Sequence, residues 1–252
     1  MIGRPLREGA ILSALSESPL EELVPNRIWL KRYPVHYGGL DFYARTTVIR
    51  LSNGDLWIHS PCPIEEPLIE ALRDIGPVAH VIAPGSYHYF HVTAWQDAFP
   101  EATVWVCPGV ERKQPDLEFD WFLSDHAPDA WVDEIDQVLV RGNRLMWEVV
   151  FLDKPSKTLI VTDLVENIGE KSGDVDWMLK LWWKVVFHMW DNPKPAPEYQ
   201  MGWKNKRAAK RSLERILEWD FDRVVLSHGE NIESDAQAVL RKAWARPLSF
   251  EG

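Results

Sequence analysis

Val81-Ile82-Ala83-Pro84-Gly85-Ser86-Tyr87-His88-Tyr89-Phe90-His91 runs from an apolar stretch into a loop that carries two histidines. Two later stretches share its layout: Thr158-Leu159-Ile160-Val161-Thr162-Asp163, and Val224-Val225-Leu226-Ser227-His228-Gly229-Glu230. Short β-branched apolar runs read as buried strands. Three strands therefore end in His or Asp. Gly229, directly after His228, lets another group come close to the loop. Side chains displayed from neighbouring strand ends converge on one metal ion or one substrate. Imidazole and carboxylate suit zinc, iron or manganese, and a hydrolytic site keeps one coordination position open for water. Ligands this far apart in sequence are assembled only by the fold.

Working outward, Arg27 to Val35 and Thr46 to Leu51 read as strands, and Ser52-Asn53-Gly54-Asp55 as a turn that makes Thr46 to Ser60 a hairpin. Ile64, Leu68, Ile69, Leu72 and Ile75 have helical spacing, closed by Gly76-Pro77. Val78 to Ala83 is the next strand, Thr93 to Phe99 a helix and Ala102 to Cys107 a strand. Val138 to Arg141, Glu148 to Leu152 and Thr158 to Thr162 are three more strands. Lys204 to Trp219 is a basic amphipathic helix, Val224 to Leu226 a short strand and Glu233 to Ala245 a last helix. Continuous β-α alternation would give a doubly wound sheet. The hairpins early and late point instead to two mixed β-sheets flanked by helices.

The 252-residue chain is long enough for a sizeable core. Its formal charge of −10 disfavours a nucleic-acid partner. Cys62 and Cys107 form no Cys-x-x-Cys pair and read as buried thiols of a reducing, cytoplasmic compartment. The first 20 residues lack a secretory apolar core, and no apolar stretch reaches the roughly 20 residues that span a bilayer. Gly-x-Ser-x-Gly and a Lys-bearing phosphate loop are both absent from the sequence.

The three stretches together resemble the metallo-β-lactamase superfamily, over roughly Arg27 to Trp244. The closer likeness is to a divergent, uncharacterised branch. It rests on His59-Ser60-Pro61, Ala83-Pro84, Glu148-Val149-Val150-Phe151 and the run Ser156 to Asp163. The resemblance implies an α+β fold, an αββα sandwich. It implies residues 1–26 as an N-terminal extension and 27–252 as one domain, with a Trp-rich helical insertion at about 170–203. In the superfamily's His-x-His-x-Asp-His motif, His88 and His91 match. Ser86 stands for the first His and Phe90 for the Asp. Asp163 matches the bridging Asp and His228 the final His. The separate middle His is missing, and Glu148 lies near its place. The resemblance thus implies a reduced, mononuclear site. His88, His91, Asp163 and His228 would hold one divalent ion, zinc ahead of iron or manganese. Asp163 or Glu148 would take the proton. The bland alternative for Glu148 is a solvated edge carboxylate.

Trp177 to Trp190 reads WMLKLWWKVVFHMW, with Lys180, Lys184 and His188 at i, i+4 and i+8 on one helical stripe. Asp174 or Asp176 suits its N-cap, and Pro193 follows its end. A lid over the metal site or a dimer contact, a core helix, and a membrane-surface contact are the competing readings. The basic run Lys204, Lys206, Arg207, Lys210, Arg211 and Arg215 reads as a solvated helix face, with a seat for an anionic substrate group as the alternative. The expected function is a metal-dependent hydrolase of an ester, lactone or thioester of a small, partly apolar substrate. The alternative is a non-catalytic protein of the same fold that binds a hydrophobic ligand or partner through the Trp-rich helix.

Overall fold

The structure, a computed structural model, describes residues 18–37, 39–172 and 175–251. Residues 1–17 of the expected extension, and Asp174, lie outside them. Within the rest of that extension Glu21–Val24 forms an edge strand (β1), antiparallel to Ile28–Tyr37 (β2). A seven-stranded sheet continues through Leu40–Arg50 (β3), Leu56–His59 (β4), Val78–Ala83 (β5), Thr103–Val106 (β6) and Trp121–Phe122 (β7), in chain order. The pairs up to β3–β4 are antiparallel, and those from β4 to β7 parallel. The second sheet has the order β11-β10-β9-β8, from Ile135–Val140 (β8), Glu148–Asp153 (β9), Thr158–Val161 (β10) and Arg223–Leu226 (β11). Only β10–β11 is parallel there.

Side chains alternate across a strand, and the second sheet uses both faces. Val149 and Phe151 of β9, Ile160 of β10 and Val225 of β11 join the core shared with the first sheet. Val150, Leu152, Leu159, Val161, Val224 and Leu226 face the other way, into a second core with helices. All six residues of β9 are buried, which explains why its sequence shows no polar alternation. The helices covering this face are Lys206–Leu217 (α6) and Ala236–Ala243 (α7). Asn205 caps α6, accepting from the Ala208 N–H, and Leu213, Ile216 and Leu217 form its buried stripe. On the outer side of the first sheet lie Glu66–Ile75 (α1) and Val92–Ala98 (α2), which bury Leu68, Leu72, Val92 and Trp95. The layers run helix, sheet, sheet, helix: an αββα sandwich.

The β2–β3 hairpin is longer than the sequence suggests. Its strands pair from Ile28↔Ile49 to Tyr37↔Leu40, so the distal half runs beyond the β3–β4 pairing, which stops at Thr47↔His59. Two ties hold the sheets together. The Arg27 guanidinium at the base of the hairpin bonds Asp153 at the end of β9, Glu134, and the Arg50 carbonyl. Trp131 stands edge-on to Trp57 and Trp105, with ring centroids 6.0 and 4.8 Å away.

The Trp-rich segment is helical for its first ten residues of fourteen. Trp177–Leu181 (α4) is capped by Asp176, which accepts from the Met178 N–H, and Trp182–Val186 continues as one π-turn. His188 then adopts φ +51° and ends the helix, so it leaves the stripe of Lys180 and Lys184. Both lysines bond the Glu170 carboxylate, at 2.9 and 3.2 Å, and lie over the Trp190 ring. Among the described residues no helix is long and apolar enough to cross a membrane.

Candidate metal centre

Parallel neighbours place their C-terminal ends at the same edge. The loops after β4 and β5 therefore meet on one side of the sandwich, and those after β10 and β11 meet beside them. His88, Asp163 and His228 come together there, each offering one ligand atom, all within 4.8 Å of one another. Both Nε2 atoms lie 3.4 Å from Asp163 Oδ1. All three residues are buried.

The outer side of each imidazole is fixed. His228 Nδ1 faces the Tyr43 carbonyl at 3.1 Å, so that nitrogen carries the proton and donates. His88 Nδ1 meets Ser60 Oγ at 2.6 Å. A neutral His228 then presents its Nε2 lone pair to a carboxylate, which is repulsive unless a cation sits between them or the ring is protonated. Two imidazoles and a carboxylate, with both rings held from behind, fit a divalent cation of the zinc or iron type. Burial works to raise the Asp163 carboxyl. The charge of His88 and the hydrogen bonds from His228 and His88 outweigh it and hold Asp163 well below the usual carboxylate range. Burial lowers His228, but its bond to Asp163 and that residue's charge raise it above the ordinary imidazole value.

His91 does not join this cluster. It precedes α2, packs edge-on to Tyr33 with centroids 6.0 Å apart, and lines the cavity in front of the cluster. Glu148 stays outside it too. Its carboxylate accepts the backbone N–H groups of Thr162, Asp163 and Leu164, at 2.6, 3.0 and 2.8 Å. At 1% exposure it is not the solvated edge carboxylate of the bland reading but an anchor for the turn that presents Asp163. Burial and the Asp163 charge push its pKa up to about 8, against the pull of those N–H groups.

Ser86, in place of a family histidine, clamps the loop instead. Its N–H donates to the Trp147 carbonyl at 2.9 Å, and its Oγ accepts from the Trp147 N–H at 2.7 Å. Phe90, in place of an aspartate, is 56% exposed at the cavity mouth. His59 packs: its ring stacks on Trp57, centroids 5.7 Å apart, and neither nitrogen has a partner. Its neighbour Ser60 is the residue that holds His88. Gly229 takes φ +84°, and a Cβ there would sit 2.1 Å from the Asn167 carbonyl oxygen, so the close approach expected at this glycine is made by backbone.

The cluster opens into a cavity of about 570 Å³. Tyr33, Val35 and Tyr37 of β2 and Leu40, Phe42 and Ala44 of β3 line one wall, each set spaced by two as one face of a strand requires. Met178, Leu179, Trp182, Trp183 and Phe187 of the Trp-rich segment form the opposite wall. Glu166, three residues beyond Asp163, also lines it. Sequence reading missed Glu166; its only signal was a carboxylate in the apolar loop Leu164-Val165-Glu166. None of the basic residues of α6 lines this cavity.

Solved structures place the fold in a class: this is the metallo-β-lactamase fold. A metallo-β-lactamase from Pontibacter korlensis superposes with a TM-score of 0.62 at 14% identity, covering 92% of this chain and 99% of that one. One from Hirschia baltica gives 0.60 at 9% identity, covering 91% and 98%. FIM-1 from Pseudomonas aeruginosa, solved in a mono-zinc form, gives 0.59 at 10% identity, covering 91% and 95%. Within that class the chain belongs to the family described as Domain of unknown function (DUF4336), whose profile matches residues 25–207. No curated protein matches the sequence.

Proposed function

We propose that the protein is a metal-dependent hydrolase with a mononuclear site, acting on an ester, lactone or thioester that carries an apolar part. The observation behind this is the convergence of His88, Asp163 and His228 within 4.8 Å at the floor of an apolar-walled cavity. The three would hold one divalent ion, zinc ahead of iron or manganese, as the FIM-1 structure holds one zinc in the same fold. When bound, such an ion lowers the pKa of a water and polarises a carbonyl. The chain supplies the rest. Ser60 and the Tyr43 carbonyl orient the two rings, and Glu148 fixes the turn bearing Asp163. Phe42, Leu179, Trp182, Trp183 and Phe187 exclude water and hold the apolar part of the substrate. His91 stands beside this site as a cavity residue. The free, buried Cys62 and Cys107 support a cytoplasmic location.

The test is elemental analysis of protein purified without chelator, beside hydrolysis of nitrophenyl esters and thioesters of graded chain length. We expect one metal per chain, lost in His88→Ala plus His228→Ala with the fold kept by circular dichroism. No bound metal, together with no hydrolysis, would overturn the reading. A second reading has its own support. Trp177, Leu181, Val185 and Val186 are exposed, Trp177 at 73%, which favours a non-catalytic protein that binds a hydrophobic ligand or partner there. Under it the alkyl probes bind, and no ester is turned over even with metal present.

A further inference from the structure

The hydrolase reading leaves one task unassigned. With Phe90 at the mouth and Glu148 engaged by three backbone N–H groups, neither offers a free oxygen to an attacking water. Of the residues lining the cavity, only Glu166 and Trp183 carry a fully buried polar atom without a hydrogen-bond partner, among the described residues. An indole N–H takes no proton in ordinary conditions; a carboxyl does. Buried polar atoms are paired as a rule, and an orphan calls for a reason. Glu166 is 8% exposed, its Oε2 is buried and unpartnered, and the residue lines the cavity that also holds His88, Asp163 and His228. Its backbone is pinned on both sides. Glu166 and Lys194 exchange N–H and carbonyl bonds at 2.8 and 3.2 Å, and the Asn167 N–H donates to the His228 carbonyl at 3.2 Å. The carboxyl is thus held on the same loop as Asp163 and beside the loop of His228.

Resting on the hydrolase reading, we propose that Glu166 is the proton-transfer residue of this site. As the water oxygen bonds to the carbonyl carbon of an ester, the water O–H proton passes to the Glu166 carboxylate. As the bond from that carbon to the leaving oxygen breaks, the carboxylic acid returns the proton to that oxygen. Ester and water become acid and alcohol, and Glu166 ends as it began. The groups whose charge reaches Glu166 are His228, Asp163, Glu198 of Pro197–Gly202 (α5) and Glu148. Burial pushes the carboxyl up to about 8, with the Asp163 charge adding to it and His228 opposing. A dication at the three ligands favours the ionised form.

Glu166→Gln keeps the shape and removes the titration. We expect kcat to fall about 100-fold or more on the ester panel, with KM within about threefold. The rise of wild-type activity with pH should vanish in the variant. Independently of turnover, calorimetry of Zn²⁺ binding at pH 7, in buffers of different ionisation enthalpy, should release about one proton fewer from Glu166→Gln than from wild type. An active wild type with an equally active Glu166→Gln, an unchanged proton count, or a loss seen in His91→Gln and not in Glu166→Gln would each overturn the assignment of Glu166. A wild type that hydrolyses nothing on the panel instead overturns the hydrolase reading, and this proposal with it.

Discussion

Glu148 and Glu166 are two buried carboxyls with opposite surroundings. Glu148 spends its oxygens on three N–H groups, and Glu166 keeps one oxygen unpaired. Changing Glu148 to Gln leaves one of those N–H groups without an acceptor and loosens the turn below Asp163. Metal affinity should drop 10- to 100-fold and stability by about 1–3 kcal/mol. Competition with a zinc chelator and urea denaturation measure the two. Both carboxyls also shape the response to pH. Their folded pKa values, about 8, lie above the ordinary value of 4.5, so the folded state holds protons that the unfolded state releases. Their stabilising contribution is complete below pH 4.5 and is lost as pH rises toward 8. Raised His228 acts in the same direction, losing its contribution above 6.5. Metal-free protein should therefore melt at lower temperature at pH 8.5 than at pH 6, and Glu166→Gln should flatten that decline. A melting temperature that climbs over this range would contradict both shifts.

At the scale of the element, the Trp-rich segment is one wall of the cavity, and six of its apolar side chains are exposed, Met178 and Trp182 among them. It forms a small cluster around Ile168, Leu179, Trp183 and Met189, apart from the two main cores. Few buried partners imply easy local opening. Amide exchange over 177–187 should be faster than in β9 or β10, and should slow when 1-decanol fills the cavity. Equal protection without the alcohol would place this segment in the main cooperative unit. The Lys180–Lys184 stripe was legible in the sequence, because it needs only helical spacing. The π-turn and the break at His188 were not, since neither leaves a mark in the spacing of polar and apolar residues. The β2–β3 wall was half legible. Tyr33, Val35 and Tyr37 alternate with Pro34 and His36, yet the strand expected from the sequence ends at Val35 and the next begins only at Thr46, so Leu40 to Arg45 gain their place from pairing with β2.

Across the whole molecule, Arg27 joins the two sheets through Asp153, which is 0% exposed. Arg27→Met strands that carboxylate without its partner and should cost about 3–5 kcal/mol, read from the shift in urea midpoint. The two-sheet architecture was readable from the chain because β-rich and β-α stretches alternate in blocks, and β5, β9, β10 and β11 fall within a few residues of where their apolar runs lie. The cluster of His88, Asp163 and His228 was readable because each residue follows such a run. Glu166 was not, for it ends no strand, and its isolation exists only once the cavity closes around it. Edge strand β1, four residues long and half acidic, carries no apolar run to mark it.

His88 follows a strand of the first sheet, while Asp163 and His228 follow strands of the second. An ion captured by all three is therefore a clock for assembly. Until the two halves of the chain have docked, no partial structure holds more than two of the ligands. Adding Zn²⁺ at successive times during refolding should capture the ion late, after secondary structure has formed and together with the burial of Trp131. Uptake of such an ion would then report the docking of one sheet on the other.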